Sequence, residues 1–270
     1  MTITIGFIGC GNMGSALAKG ILNNPVLKRE FAVIAFDIDA GRRALLATEG
    51  ATEAASPAEL AEKADYILLA VKPYQVSETI AAVFPALTTK KTLLSIAAGV
   101  PLSSLRAFVQ GRCPCVQIMP NTPAMVGEGQ FALCLEDPEL PEERAAALSR
   151  LFEGLGTVFS IPENKMNAFS AVAGCGPAYV FDLMDALMEA AITLGFTRPQ
   201  ATDMVGNLFR GSARLMLESG EHPAVLHSQV TSPGGQTIVG TNHLARTAVR
   251  GNIIDAVLAA YAKGREMEGK

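Results

Sequence analysis

A polar segment with two adjacent glycines, Thr231-Ser232-Pro233-Gly234-Gly235-Gln236-Thr237, precedes a stretch with helical periodicity. Consecutive backbone N–H groups at the start of a helix can converge on an anion. The segment is therefore a candidate cradle for a carboxylate. Together with a dinucleotide site elsewhere in the chain, such a cradle indicates a redox enzyme that acts on a small acid.

A second glycine-rich segment, Gly9-Cys10-Gly11-Asn12-Met13-Gly14, matches the pattern G-x-G-x-x-G directly after a strand-like run and directly before a helix-like one. The first glycine permits a tight turn, the second lets a pyrophosphate approach the backbone, and the third lets the helix pack on the strand. We therefore expect NAD(P)H to bind here, with its contacts at Gly9, Gly11, Asn12, Met13 and Gly14.

The residues after the second predicted strand bear on which coenzyme binds. Asp37 follows Gly14 at roughly the spacing at which an acidic residue accepts the ribose 2′-hydroxyl. Its carboxylate would repel a 2′-phosphate, which favours NAD(H). Arg42 and Arg43 could bind that phosphate instead, or could belong to a solvated helix face. The sequence leans to NAD(H) and leaves both coenzymes open.

Several further segments follow predicted strands and are expected at the same edge of the sheet: Ala70-Val71-Lys72-Pro73, Ala97-Ala98-Gly99 and Met119-Pro120-Asn121-Thr122-Pro123. Their small or proline-restricted residues leave room for the nicotinamide ribose, while ordinary turn chemistry explains each of them taken singly. We expect coenzyme contacts at Val71, Lys72, Pro73, Ala97 and Gly99, and a substrate contact at Asn121.

The histidines and cysteines show no catalytic or metal-binding spacing. His222, His227 and His243 cluster around the polar segment; surface or helix-capping roles are favoured, and a functional histidine stays open. The five cysteines are an odd number at irregular spacing, which is typical of thiols in a reducing cytosol. We expect no metal site.

Composition limits the classes of protein to which the chain could belong. Its 270 residues are 49% hydrophobic and 18% charged, enough for a large core in two domains. A net charge of −4 without a basic block argues against a nucleic-acid partner. Apolar runs such as Tyr66–Val71 are too short to span a bilayer, and no signal peptide is evident. We expect a cytoplasmic protein with no membrane partner.

Strand-like and helix-like runs alternate over the first part of the chain and predict a doubly wound, Rossmann-type parallel sheet. The predicted strands are 3–8, 31–36, 66–71, 92–96, 115–119, 131–135 and 158–161. Helical patterns alone follow, at 164–172, 178–194, 199–218, 223–230 and 237–267. We therefore predict a dinucleotide-binding domain over 1–162 and an all-α domain over 163–270, whose Ala, Gly and Met faces suit association between subunits.

Motifs along the whole chain resemble those of the pyrroline-5-carboxylate reductases, which catalyse the last step of proline synthesis. They are Gly6–Gly14, Ala70–Pro73, Ala97–Val100, Met119–Pro123, Gly176–Phe181 and Ser232–Thr237. The resemblance implies NAD(P)H-dependent reduction of 1-pyrroline-5-carboxylate to L-proline, and a helical domain that forms a homodimer or a higher homo-oligomer. It also implies a substrate site at Ser232, Gly234, Gly235, Gln236 and Thr237, where Thr237 is catalytic and offers its hydroxyl to the ring nitrogen.

Other functions remain open alongside this one. The chain could reduce another cyclic imino acid, or be a non-catalytic dinucleotide-binding paralogue. A hydroxyacid dehydrogenase is disfavoured, since Val180 stands where those related enzymes place a catalytic lysine. Cys175, Thr241 and Ala245 depart from the pattern of the family, and the latter two could alter substrate preference.

Overall fold

The computed structural model describes residues 2–268. By their contacts these residues divide into two compact units, residues 2–175 with 261–268, and residues 176–260. The outermost residues of the predicted domains, Met1 and residues 269–270, lie outside the described part. We call the two parts the sheet unit and the helical unit.

The sheet unit contains one eight-stranded sheet in the order β3-β2-β1-β4-β5-β6-β7-β8. The strands are β1 Ile3–Ile8, β2 Phe31–Phe36, β3 Thr52–Glu53, β4 Tyr66–Leu69, β5 Thr92–Ser95, β6 Cys115–Pro120, β7 Gly129–Cys134 and β8 Gly156–Ser160. The predicted Rossmann-type fold is confirmed, with one exception to its parallel order: β6 and β7 are antiparallel. The short turn between them cannot hold the crossover of about a dozen residues that a parallel pair requires.

Helices cover both faces of this sheet, as its apolar strands require. They are α1 Asn12–Asn23, α2 Leu27–Glu30, α3 Ala40–Thr48, α4 Pro57–Lys63, α5 Val76–Val83, α6 Leu102–Val109 and α7 Glu142–Glu153. Leu17 of α1 and Leu148 of α7 lie in the core on one face, and Leu60 of α4 and Leu105 of α6 lie in the core on the other. Helices α2 and α3 and the two-residue strand β3 were not predicted from the sequence.

The helices that follow are α8 Glu163–Phe169, α9 Gly176–Thr193, α10 Arg198–Ser219, α11 Pro223–Gln229, α12 Gln236–Arg246 and α13 Val249–Glu268. A π-helical turn, Ser170–Gly174, lies between α8 and α9. The single helix predicted over 237–267 is wrong, because the chain turns at Ala248, whose φ is +54°. The boundary near residue 162 stays a prediction; by contacts, α8 belongs to the sheet unit, with Met166 in its core.

The helical unit exposes many large apolar side chains. Among them are Phe181, Leu187, Leu208, Leu217 and Leu258. The continuous helical run Glu163–Thr193 is also long and apolar enough to cross a bilayer by length and composition alone. The apolar runs considered in the sequence, such as Tyr66–Val71, are too short to span a bilayer, but this helical run is long enough. The absence of a membrane partner therefore stays a prediction.

Candidate functional site

The glycine-rich loop lies between β1 and α1, and its glycines meet different surroundings. Gly9 has a φ of +104°, and a Cβ there would lie 2.6 Å from the carbonyl oxygen of Ala70. A Cβ on Gly14 would overlap the carbonyl oxygen of Gly9. At Gly11, by contrast, the nearest heavy atom to a Cβ would be Arg42 Nη1, 3.8 Å away. Two glycines are thus required by packing, and Gly11 leaves an open approach to the backbone.

The start of α1 presents unpaired backbone donors next to this opening. Gly11 is the N-cap and supplies no side-chain cap, and no acidic residue stands in the first turn. The first N–H groups of a helix lack intrahelical partners and carry its positive end. Asn12 and Met13 lie in this turn, so the predicted coenzyme contacts cluster around Gly11. The loop therefore fits the pyrophosphate of a dinucleotide.

Asp37 lies at the carboxyl end of β2 and is joined directly to the loop. It is buried; its Oδ2 accepts from the Cys10 N–H at 2.6 Å, and its Oδ1 accepts from the Asp39 N–H at 2.9 Å. Burial and, after it, the negative charge of Asp37 raise the pKa of the Cys10 thiol to about 12. The thiol is therefore neutral at physiological pH. The Asp37 carboxylate holds the loop by accepting from the backbone N–H of Cys10.

The two arginines beyond Asp37 have different environments. Arg43 donates to the Asp37 carbonyl oxygen, lies 5.6 Å over the Phe36 ring and pairs with Glu53. Arg42 is exposed and its Nε lies 3.6 Å from Asp39 Oδ2. Asp39, which caps α3, was not among the predicted site residues; an aspartate directly before a run of helix-forming Ala, Arg and Leu residues was an available signal.

The loops after β4 and β5 lie at the same edge of the sheet as the glycine-rich loop, because Ile8 pairs with Leu69 and Leu69 with Ser95. These loops hold the remaining predicted coenzyme contacts, namely Val71, Lys72, Pro73, Ala97 and Gly99. Lys72 is exposed, and Gly99 has a φ of +77°. Met267, near the end of α13, lies against Gly99: a Cβ added to Gly99 would lie 3.7 Å from the Met267 Cβ. No local sequence pattern predicts that contact.

Asn121 follows β6 and is almost fully buried. Its Nδ2 donates to the carbonyl oxygen of Ala173 at 3.1 Å, and its Oδ1 accepts from the Gln130 N–H at 2.8 Å. The amide thus joins β6, β7 and the π-helical turn. A substrate contact through this side chain stays a prediction.

The polar segment of the helical unit forms a tight turn that opens α12. Gly234 has a φ of +70°, and the Gly235 N–H donates to the Ser232 carbonyl oxygen at 3.1 Å. Gly235 is the N-cap of α12 and offers no side-chain cap. The N–H groups of Gln236 and Thr237 in the first turn are therefore available to an anion. The structure thus places Ser232, Gly234, Gly235, Gln236 and Thr237 at one helix start, while the other predicted substrate residue, Asn121, lies in the sheet unit.

The histidines lie at the surface, where one of them caps a helix, and the cysteines form no disulfides. All three histidines are exposed, and His222 Nδ1 accepts from the Ala224 N–H as the N-cap of α11. The five cysteines are free thiols. Over residues 2–268, no three His, Cys, Asp or Glu side chains are grouped closely enough to hold a metal ion.

A Rossmann-type sheet with an open pyrophosphate loop, accompanied by a helical unit with an uncapped helix start, defines a dinucleotide-dependent oxidoreductase. Residues 4–99 match the family described as NADP oxidoreductase, coenzyme F420-dependent, and residues 163–267 match pyrroline-5-carboxylate reductase dimerisation. The chain belongs to the pyrroline-5-carboxylate reductase family.

That membership rests on similarity along the full length. The chain is 32% identical to the pyrroline-5-carboxylate reductase of Glycine max, over 98% of this chain and 96% of the relative. It is 34% identical to that of Escherichia coli, over 97% of each chain. The crystal structure of Plasmodium falciparum pyrroline carboxylate reductase with NADP bound is 31% identical, covers 98% of both chains and has a TM-score of 0.87.

Proposed function

We infer that this protein reduces 1-pyrroline-5-carboxylate to L-proline with NAD(P)H. The observation that carries this inference is the full-length match to relatives of that name from plants and bacteria. The geometry agrees with it, because the chain has both a loop suited to a pyrophosphate and a helix start suited to a carboxylate.

The chemistry needs little from the protein beyond positioning and charge. The reduced nicotinamide supplies a hydride to the imine carbon of the substrate. The substrate can arrive protonated on nitrogen, so no strong protein acid is required. The protein has to orient the two reactants and stabilise charge on the ring.

We assign those tasks to the turn that opens α12. The backbone N–H groups of Gln236 and Thr237 bind the substrate carboxylate, and Ser232, Gly234 and Gly235 set the shape of the turn. Support comes from the φ of Gly234 and from the missing side-chain cap. The Thr237 hydroxyl is exposed one residue into the helix and can hydrogen-bond the ring nitrogen.

A reductase of another cyclic imino acid is the second candidate. It is favoured by Thr241 and Ala245, which depart from the pattern of the family on α12, the helix that has Thr237 in its first turn. A non-catalytic paralogue would also retain the fold, but it would have no need for the Thr237 hydroxyl.

The test is to mix purified protein with 1-pyrroline-5-carboxylate and follow oxidation of NADH and of NADPH by absorbance. A six-membered imino acid serves as the competing substrate. Faster turnover of the five-membered ring supports the inference, and faster turnover of the six-membered ring favours the second candidate. Absence of turnover with either coenzyme and either ring would leave the non-catalytic paralogue.

Variants of Thr237 test its assigned role separately. Loss of a hydrogen bond to a charged group costs about 1.5–3 kcal/mol, so Thr237→Ala should lower kcat by roughly one to two orders of magnitude. Coenzyme affinity should stay nearly unchanged. Thr237→Ser retains the hydroxyl and should keep most of the activity. Equal turnover by all forms would remove Thr237 from the mechanism.

We also propose that the protein works as a homodimer or a higher homo-oligomer in the cytoplasm. The dimerisation-family match and the exposed apolar side chains of the helical unit support the association. Free thiols without disulfides fit a reducing compartment.

A further inference from the structure

We propose that Asp37 and Asp39 make this enzyme select NADH over NADPH. The proposal rests on the function inferred above, since it assumes that the loop binds a nicotinamide dinucleotide. It concerns the corner formed by Asp37, Asp39, Arg42 and Arg43, which we call the ribose corner. One relative has been crystallised with NADP, so coenzyme choice would differ within the family.

The carboxylate of Asp37 is held in one orientation at this corner. The Cys10 and Asp39 N–H groups each donate to a different oxygen, at 2.6 and 2.9 Å. Each oxygen can still accept a further hydrogen bond. The ribose diol of NADH can supply such donors, while a 2′-phosphate supplies none and carries a charge of about −1.5 to −2 at pH 7.

The start of α3 offers a phosphate no compensating donors. Asp39 Oδ1 accepts from the Gly41 N–H at 2.8 Å and from the Arg42 N–H at 3.4 Å. The amides that would otherwise attract a phosphate are thus occupied by a carboxylate of the chain itself. A 2′-phosphate would meet a second negative charge here.

The arginines do not reverse this preference. Arg43 is engaged by the Asp37 carbonyl oxygen, the Phe36 ring and Glu53. Arg42 pairs with Asp39, and its Nη1 is the heavy atom nearest to a Cβ on Gly11. Its guanidinium therefore lies beside the opening for the pyrophosphate, a group that NADH and NADPH share.

Binding of nucleotide fragments to the intact protein tests this selection without any chemistry. The probes are 5′-AMP and adenosine 2′,5′-bisphosphate, which differ only in the 2′-phosphate, measured by calorimetry at fixed salt. We expect 5′-AMP to bind the wild type at least tenfold more tightly. Asp37→Asn removes the charge at nearly constant size, and should reduce that ratio about tenfold.

Further variants separate the contributions of the corner. Asp39→Asn keeps an oxygen to cap α3 and should shift the ratio in the same direction by about threefold, which also covers the case that Asp37→Asn does not fold. Arg42→Ala is the matched control and should weaken both probes by the same factor. The proposal would be overturned if the wild type prefers the bisphosphate, or if neither aspartate variant changes the ratio of affinities. It would also be overturned if Arg42→Ala loses affinity for the bisphosphate alone, or if neither probe binds.

These outcomes are independent of the substrate. A protein inactive on 1-pyrroline-5-carboxylate could still discriminate between the probes, and that result would refute only the proposed function. An active reductase that favours the bisphosphate would refute only the coenzyme selection.

Discussion

Gly9→Ala should lower the stability of the fold and Gly11→Ala should weaken coenzyme binding, although the two positions lie in the same loop. At Gly9 the φ of +104° disfavours a residue with a Cβ, and that Cβ would press on Ala70 backbone atoms at 2.6 and 2.8 Å. A left-handed backbone costs about 1–2 kcal/mol and overpacking about 1–3 kcal/mol. Gly9→Ala should therefore lose about 2–5 kcal/mol of a total stability of about 5–15 kcal/mol.

Gly11→Ala lacks both penalties for folding. Gly11 has a φ of −68° and a ψ of −172°, which alanine adopts freely, and only Arg42 Nη1 lies within 4 Å of the added Cβ. Its unfolding free energy should stay within about 0.5 kcal/mol of the wild type. The new methyl group would occupy the approach of the pyrophosphate, so coenzyme affinity should fall at least about tenfold, or 1.4 kcal/mol.

Urea unfolding of the apo protein and fluorescence titration with NADH distinguish the two effects. The expected pattern is a lowered unfolding midpoint for Gly9→Ala, and a normal midpoint with weakened binding for Gly11→Ala. If Gly11→Ala binds NADH as tightly as the wild type, the pyrophosphate does not pass Gly11 and the assignment of this loop is wrong. If Gly9→Ala is as stable as the wild type, the backbone of Ala70 does not exclude a Cβ at position 9.

Further predictions concern the buried amide, the thiols and the helical unit. Asn121→Ala removes two partly buried hydrogen bonds to backbone groups and should cost about 1–3 kcal/mol in urea unfolding, and an unchanged midpoint would contradict that role. Iodoacetamide at about pH 8 should label Cys175 alone, because the other four cysteines are buried. Burial and, after it, the charge of Asp37 also raise the pKa of Cys10 to about 12. Rapid labelling of the Cys175→Ser variant would refute this prediction. Leu208→Asp should shift gel filtration towards the monomer, while Leu45→Asp, at a somewhat more exposed position on the sheet unit, should not. Identical elution of both variants would argue against association through the helical unit.

Periodicity and spacing predicted most of the sheet but missed its shortest elements. Buried parallel strands such as Ile3–Ile8 are continuous apolar runs and are visible in one sequence. Strand β3 has only two residues, both exposed, so hydrophobicity gives no signal for it. Antiparallel pairing of β7 follows from the length of the turn before it, which could have been read from the sequence.

The break between α12 and α13 shows where a local pattern fails. Apolar residues continue with helical spacing through Ala248, so the sequence indicates one helix over 237–267. The backbone turns at that residue without a glycine or proline, at a φ of +54°. For alanine this conformation is disfavoured, so the residue types at this position give no signal for the break.

The conformation of both candidate loops was predictable, because it depends on glycine. Glycine spacing identified both loops, because few other residues allow those turns or such close approaches. Side-chain roles were less predictable. Whether Asn121 faces a ligand or the protein depends on Ala173, which lies far away in sequence and only meets it in the fold.

The three positions that depart from the family pattern, Cys175, Thr241 and Ala245, leave the local backbone intact. Thr241 donates its hydroxyl to the Ile238 carbonyl oxygen at 3.2 Å, and α12 runs unbroken from Gln236 to Arg246 across both unusual positions. The Cys175 N–H closes the π-helical turn on the Ser170 carbonyl oxygen at 2.8 Å, a bond that any residue but proline can make. What shapes the turn that opens α12 is Gly234 at positive φ, together with Gly235, where a Cβ would meet Ser232 Oγ at 2.5 Å. Both glycines are present, so the backbone that would bind a substrate carboxylate is retained while side chains farther along the helix have changed.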